Sequence, residues 1–262
     1  MIYLSIVIPA YNEGRRIGKT LAETFSYLDG LNFESEVLVV DDGSTDGTVA
    51  KVMETMESAK GRLRIVRNPG NRGKGYSVRN GILHAQGEII LFYDADMPAP
   101  TTEIVKVIQP IIEGRFDVVF GSRYIDSVLI GEPQSRLRRA VSRIGNVIMR
   151  YVTGLDYRDM QCGFKAFRSS TAKSVFRVQT NDGYGFDPEV LFIAAKRGWR
   201  LLETPVICNH IEGSKVNMLT APLKVLLEVL KIRRNDILGL YDGGGEIRVD
   251  PTVDAQTSQE PH

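Results

Sequence analysis

The sequence predicts an α/β fold in which a mostly parallel β-sheet is flanked by helices. Short runs rich in β-branched residues alternate with segments whose apolar residues recur at helical spacing, as in βαβ units. Apart from Ser5 and Arg64 the strand runs are apolar, which indicates burial on both faces of a sheet. The chain has 262 residues, 43% of them hydrophobic and 25% charged, so we expect one domain with a core of ordinary size.

The predicted elements alternate regularly up to Arg123. Each predicted helix carries an apolar stripe that can pack on the sheet, and the second helix follows a Ser44-Thr45-Asp46 start signal. We predict strands at residues 4–8, 37–40, 63–66, 89–93 and 118–121. The stripes are Ile17, Leu21, Phe25 and Leu28; Val49, Val52, Met53 and Met56; and Ile104, Val105, Ile108 and Ile111.

The alternation weakens after Arg123. The tail has too few apolar groups to fold alone, so we predict that residues 242–262 are disordered. The elements predicted before it are a basic amphipathic segment at 136–150, a loop at 162–165, a helix beginning at Asp187, a strand at about 202–207 and a helix at about 221–238.

Composition excludes several classes of protein. The formal net charge is +1, so no global positive field indicates nucleic-acid binding. The two cysteines, Cys162 and Cys208, are far apart, which argues against a disulfide framework and a structural zinc site. No apolar run approaches the roughly 20 residues that span a bilayer, and no signal peptide is evident. We therefore expect a cytoplasmic protein.

Asp94 and Asp96 follow the predicted strand at 89–93. Side chains two apart on extended backbone share a face, so both carboxylates can approach one hard cation. Mg²⁺ and Mn²⁺ suit such a site, because Mg²⁺ takes one or two carboxylates together with substrate phosphates. The alternative is turn capping, since Asp is common at strand ends and a lone Asp-x-Asp is a weak signal.

Polar residues also end the first two predicted strands. Pro9-Ala10-Tyr11-Asn12-Glu13, Asp41-Asp42-Gly43-Ser44-Thr45-Asp46 and Asp94-Ala95-Asp96, in this order, closely resemble the donor half of inverting family 2 glycosyltransferases. The resemblance covers about residues 3–216 and implies a GT-A fold, that of nucleotide-diphospho-sugar transferases. It also implies that Pro9, Tyr11 and Glu13 flank the nucleotide, that Asp42 meets the base, and that Asp94, Ala95 and Asp96 hold the metal and the donor diphosphate.

Asn71-Arg72-Gly73-Lys74-Gly75 is similar to a segment of dolichyl-phosphate glucosyltransferases and their bacterial relatives. Lys74 at a helix N-terminus could contact the donor phosphates. A P-loop is excluded, because Gly75 replaces the required Ser or Thr and Asn68 replaces the first Gly. The remaining alternative is a flexible surface turn with a solvated lysine.

Three further segments resemble the branch of this family that glycosylates polyprenyl phosphates: 121–124, 160–165 and 212–215. The resemblance implies that Arg123 and Lys215 contact donor phosphate and that Gln161 lies at the acceptor. For Arg123 the alternative is an exposed strand-end salt bridge.

Asp187 is a candidate general base and equally a candidate N-cap, because Pro188 and Glu189 follow it. A sugar hydroxyl must lose a proton during attack. A phosphomonoester, with a second pKa near 6, is largely ionised at pH 7 and can attack without a base. With a lipid-phosphate acceptor, Asp187 would only orient groups.

The basic segment at 136–150 interleaves arginines with apolar residues, so Arg136 and Arg139 could meet an acceptor phosphate at a membrane surface. The alternative is a solvated basic face over a core stripe. In the resembling branch this region is the acceptor loop and interface helix. Some phosphodolichol mannosyltransferases carry Gln two residues after the second acid, where this chain has Pro98, which has no metal-binding atom in its side chain. Water or donor oxygens could take the place of that ligand.

We predict one GT-A domain at 1–241, with a donor half at about 1–123 and an acceptor or membrane-facing half at about 124–241. The predicted reaction is inverting transfer of glucose from UDP-glucose to dolichyl or polyprenyl phosphate, with Mg²⁺ or Mn²⁺, at the cytoplasmic face of a membrane. The alternatives are mannosyl transfer from GDP-mannose and transfer to a saccharide hydroxyl. A nucleotidyltransferase would need a Gly-rich, basic first loop, and a binding module would not need both Asp94 and Asp96.

Overall fold

The structure, a computed structural model, describes residues 2–96, 99–123, 136–207 and 221–243, with side chains described for 2–96, 99–123, 145–207 and 227–243. Within these ranges one seven-stranded sheet has the order β3-β2-β1-β4-β6-β5-β7. Its strands are β1 (Leu4–Ala10), β2 (Ser35–Asp41), β3 (Leu63–Arg67), β4 (Ile89–Tyr93), β5 (Val118–Ser122), β6 (Phe164–Arg168) and β7 (Leu201–Pro205).

The sheet is mostly parallel. Strand β1 pairs in parallel with β2 and β4, β2 with β3, and β5 with β7, whereas β6 runs antiparallel between β4 and β5. The predicted α/β fold is confirmed.

Helices cover both faces of the sheet. Side chains alternate along the strands, so Val7, Leu38 and Phe92 lie in one core cluster and Ile6, Val39 and Leu91 in the other. Helices α1, α2 and α4 pack on the second cluster, and α3, α5, α6, α7 and α8 on the first. Their bounds are α1 (Ile17–Leu28), α2 (Thr48–Ser58), α3 (Lys74–His84), α4 (Ile104–Ile112), α5 (Arg136–Thr153), α6 (Ser169–Val178), α7 (Phe186–Lys196) and α8 (Ala221–Ile237).

Two local predictions for the second half were wrong. Residues 164–165 begin strand β6 rather than lying in a loop, and the register pairs Phe164 with Tyr93. Helix α7 begins at Phe186 with Gly185 as its N-cap, so Asp187 lies inside the first turn and is not the N-cap. Residues 244–262 of the predicted tail lie outside the described residues.

The topology brings four chain segments to one edge of the sheet. Parallel strands β1, β2 and β4 end there, and the residues after their carboxyl ends lie together. Because β6 is antiparallel to β4, its amino end reaches the same edge, and Gly163 lies beside Asp94.

Candidate active site

Each acidic side chain after β4 has a cation close to it. The Lys74 ammonium, at the first residue of α3, lies 2.7 Å from Asp94 Oδ1. The Arg16 guanidinium, just before α1, lies 3.6 Å from Asp96 Oδ2. Both carboxylates are only partly exposed, at 31% and 34% of their side chains. The predicted Asp94 and Asp96 therefore lie in one electrostatic cluster with Lys74.

The shifts in the pKa of Lys74 and of Asp96 show which charges in this cluster interact. Burial opposes the charge on Lys74, but Asp94 and Asp187 outweigh it and raise the lysine pKa above its ordinary value. Burial raises the pKa of Asp96, and the neighbouring charge of Asp94 raises it further, while Lys74 and Arg16 oppose that rise. An added cation beside Asp96 would favour the charged form of this carboxylate, which burial and Asp94 disfavour.

Gly163 leaves the space that Asp94 occupies. A Cβ at this position would lie 2.4 Å from Asp94 Oδ2, so any side chain would displace the carboxylate. In the sequence Gly163 is part of the motif at 160–165, but the motif alone does not indicate this contact.

A buried ion pair lies behind this cluster. The Lys165 ammonium donates hydrogen bonds to Asp187 Oδ1 and to the Cys162 carbonyl, and Lys165 is completely buried. Burial lowers the pKa of Lys74, and Asp94 raises it. Asp187 also raises the pKa of Lys74, by less than Asp94 does. Charges therefore alternate through Lys165, Asp187, Lys74 and Asp94. The sequence alone does not indicate this role of Lys165, because residues 162–165 are predicted as a loop and the partner Asp187 is 22 residues away.

The loop after β2 places its two acids differently. Asp42 is buried, and its carboxylate accepts hydrogen bonds from Asn68 Nδ2 at 2.7 Å and from the Arg72 and Gly73 amides at 2.9 and 2.8 Å. It therefore fixes the turn that leads into Lys74. Asp41 Oδ1 accepts from the Ser44 amide, while its buried Oδ2 has no hydrogen-bond partner within the described ranges, Arg67 Nε lying 3.8 Å away.

The loop after β1 is locked to the loop after β2. The Asn12 amide donates to Ser44 Oγ at 2.9 Å and the Glu13 amide donates to Thr48 Oγ1 at 2.8 Å. Pro9 lies in β1, and Tyr11 is 40% exposed just beyond it. The structure therefore brings Pro9, Tyr11 and Glu13 to the edge that carries the acidic cluster.

Comparison with known proteins identifies the family. The family model described as glycosyl transferase family 2 matches residues 5–176. The chain belongs to glycosyl transferase family 2. The resemblance seen in the sequence motifs is confirmed.

Relatives of this glycosyltransferase cover most of its length. It is 34% identical to a dolichyl-phosphate beta-glucosyltransferase of Trichomonas vaginalis over 245 residues, which cover 88% of this chain and 73% of the relative. It is 30% identical to the dolichyl-phosphate beta-glucosyltransferase of Homo sapiens, over 91% of this chain and 77% of the relative. That of Saccharomyces cerevisiae is also 30% identical, over 92% and 77%.

Solved structures show the same fold at lower identity. Glucosyl-3-phosphoglycerate synthase from Mycobacterium tuberculosis, in complex with Mn²⁺, UDP-glucose and phosphoglyceric acid, superposes with a TM-score of 0.65 at 18% identity, covering 88% of this chain and 79% of that one. Its phosphoglyceric acid complex gives 0.66 at 20% identity, covering 88% and 80%. The predicted GT-A fold of the glycosyltransferase is confirmed.

Arg123, at the end of β5, holds a buried carboxylate. Its backbone amide and guanidinium donate three hydrogen bonds to Asp159, at 3.0, 2.7 and 2.8 Å. Glu203 of β7 in turn accepts from the Arg158 and Asp159 amides. This network fixes the loop that carries the partly exposed Gln161. The structure shows an ion pair between Arg123 and Asp159, and the phosphate contact of Arg123 stays a prediction.

Three predicted residues are not placed as side chains. Arg136 and Arg139 belong to α5, but their side chains lie outside the described residues, as does the whole of Lys215. No helix within the described parts of the glycosyltransferase is long and apolar enough to cross a membrane. Nor do those parts contain a cluster of three or more His, Cys, Asp or Glu side chains suited to a metal ion.

Proposed function

We propose that the protein transfers glucose, with inversion, from UDP-glucose to a dolichyl or polyprenyl phosphate. The observation that carries this proposal is the cluster of Asp94, Asp96 and Lys74 at the carboxyl edge of the sheet. It offers two carboxylates for a cation and one ammonium for a phosphate. The acceptor and the sugar are supported by the dolichyl-phosphate beta-glucosyltransferases that match most of the chain, and the donor by the UDP-glucose complex of a protein with the same fold.

The donor set fits Mg²⁺ or Mn²⁺. Asp94 and Asp96 are hard oxygen ligands whose mutual repulsion a cation would relieve, and one or two carboxylates plus phosphate oxygens suffice for Mg²⁺. A bound divalent cation would stabilise the negative charge that develops on the departing diphosphate. Lys74, next to Asp94, would stabilise the same charge as an ammonium donor. Lys215 and Arg123 stay proposed phosphate contacts.

We assign the contact with the base to Asp41 rather than to the predicted Asp42. All three donors around Asp42 belong to the protein, so a base would have to compete with them. Asp41 Oδ2 is a buried acceptor without a hydrogen-bond partner in the described structure. A uracil ring carries one N–H donor that such an oxygen could accept, and an unsatisfied buried acceptor is costly until it is paired.

The acceptor chemistry requires no general base. A lipid phosphate is largely ionised at pH 7 and can attack the anomeric carbon directly. Asp187 hydrogen-bonds to a buried ammonium and also acts on Lys74, so it serves here as a charged positioning group. If a sugar hydroxyl were the acceptor, Asp187 would be the nearest candidate base and its loss would cost several orders of rate.

Because the proposed acceptor is a lipid, we expect the protein to contact a membrane surface through α5 and α8. The two helices pack against each other and expose the apolar side chains of Val147, Tyr151, Leu227 and Leu230, at 63%, 89%, 53% and 49%. The sequence of α5 is rich in arginine and includes Arg136 and Arg139. Apolar and basic groups together favour an anionic membrane surface.

The test offers radiolabelled UDP-glucose and GDP-mannose separately, with a short polyprenyl phosphate, and measures label extracted into organic solvent. We expect transfer from UDP-glucose that requires Mg²⁺ or Mn²⁺. Asp96→Ala should lower the rate by at least about 100-fold, while Asp29→Ala, which removes an exposed carboxylate paired with Arg62, should not change it.

Several results would contradict the proposal. Transfer only from GDP-mannose would assign the alternative donor, and transfer only to a saccharide acceptor would restore Asp187 as a base. An Asp96→Ala variant with unchanged turnover and unchanged cation requirement would remove the metal site.

A further inference from the structure

Arg16, just before α1, and two threonines of α1 contact the end of β4 and the turn that follows it. Arg16, Thr20 and Thr24 are four residues apart and therefore lie on one side of the helix. Arg16 lies 3.6 Å from the Asp96 carboxylate, and the Thr20 hydroxyl is 2.7 Å from the Ala95 carbonyl. Thr24 Oγ1 lies 2.5 Å from the Tyr93 hydroxyl.

The Thr20 hydroxyl donates a hydrogen bond to the Ala95 carbonyl, which has no partner strand within the described residues. Pairing of β4 with its neighbours ends at Tyr93, so the Ala95 carbonyl lies beyond the last strand pair. Thr20 and Ala95 are both 4% exposed, so water has little access to this carbonyl. A buried carbonyl needs a donor, and the Thr20 hydroxyl supplies it.

The direction of the second contact follows from counting protons. Thr24 Oγ1 lies 2.6 Å from the Thr20 carbonyl, which can only accept. A hydroxyl has one proton, so Thr24 donates to that carbonyl and the Tyr93 hydroxyl donates to Thr24.

We infer that Thr20 is a positioning residue for the Asp94-Ala95-Asp96 turn, with Thr24 and Tyr93 supporting it. The Ala95 carbonyl belongs to the peptide group between Ala95 and Asp96, so holding this oxygen fixes the direction in which the backbone enters Asp96. A turn that is already fixed loses less freedom when a cation and a diphosphate bind. The inference rests on the proposed function, because it assumes that these acids hold a metal with the nucleotide.

The experiment measures binding of UDP to the full-length protein by titration calorimetry at several Mn²⁺ concentrations. Thr20→Val keeps the size of the side chain and removes the hydroxyl, and we expect about five- to tenfold weaker Mn²⁺-dependent UDP binding, with a smaller loss for Tyr93→Phe. Thr20→Ser keeps the hydroxyl and should bind within about twofold of the unaltered protein. Thr171→Val is the matched control, because Thr171 is fully buried and its hydroxyl makes no hydrogen bond in the described structure.

Thermal melting separates positioning from folding. If Thr20→Val does not fold, Tyr93→Phe carries the test, and unchanged binding by that variant would overturn the inference. Unchanged binding by a folded Thr20→Val, or equal weakening by Thr20→Ser and Thr20→Val, would also overturn it. If the unaltered protein shows no Mn²⁺-dependent binding of UDP, the proposed function fails instead.

Discussion

Replacing Lys165 by methionine is the sharpest test of the buried charges behind the site. Lys165 and Asp187 are 0% and 4% exposed as side chains, so Lys165→Met would leave a buried carboxylate without its hydrogen-bonded ammonium. Removing one partner of a buried ion pair typically costs about 3–5 kcal/mol. Because domains are stable by only about 5–15 kcal/mol, the variant should fold but unfold at much lower denaturant concentration.

Urea unfolding followed by the fluorescence of Trp199, the single tryptophan, measures this change. The double variant Lys165→Met/Asp187→Asn removes both charges and should recover at least about half of the lost stability, since the buried charge causes most of the cost. Lys51→Met is the control: Lys51 forms an exposed pair with Glu54 at 2.6 Å, and such pairs contribute at most about 1 kcal/mol. A loss below about 1 kcal/mol for Lys165→Met, or a double variant as unstable as the sum of its singles, would refute the reasoning.

Three further predictions follow from the same contacts. Gly163→Ala should lower kcat/KM about 100-fold by displacing Asp94, with little change in melting temperature; activity within about threefold of the unaltered protein would contradict this. Asp42→Ala removes the acceptor of three hydrogen bonds and should lower the free energy of unfolding in urea by about 3 kcal/mol. It should also raise the KM for the nucleotide sugar. An unchanged unfolding midpoint would show that Asp42 does not fix this turn. Burial raises the pKa of Asp159, but Arg123 outweighs burial and lowers the pKa of this carboxyl below its ordinary 3.8. The ionised carboxylate should therefore stabilise the fold above pH 3.8, and this stabilisation should be lost as the pH falls through the lowered pKa. The urea midpoint of Asp159→Asn should therefore depend less on pH between about 5 and about 2 than that of the unaltered protein, and equal slopes would exclude this assignment.

The first five strands could be predicted because each contains a short run that is mostly apolar and rich in β-branched residues. Strand β6 could not, because it begins beside a glycine and contains a lysine. Lys165 is tolerated in a buried strand only because Asp187, 22 residues further along the chain, pairs with it. Such a pair is visible only once α7 and β6 are packed together.

The acids of the site were predicted at the right strand end, but their individual partners were not. Strand β2 extends to Asp41 rather than stopping at Val40, and Asp42 beyond it accepts a hydrogen bond from the Gly73 amide. Side chains of neighbouring residues on extended backbone point to opposite faces, so the two adjacent acids meet different partners, which only the packed structure identifies. The contacts of Thr20 and Thr24 were not predicted either, because a helical threonine by itself indicates only local back-bonding.

The position of β6 has a consequence for how the polypeptide can be divided. This strand is synthesised after residue 123, yet it separates β4 from β5, two strands that precede that point. A fragment ending at 123 would lack β6 and also β7, so β4 would have one open edge and β5 two. The apolar side chains of Phe92 and Phe120 would also lack Phe167 in their cluster. Expression of such a fragment should give aggregated material, because β4 and β5 cannot join one sheet before β6 has been synthesised.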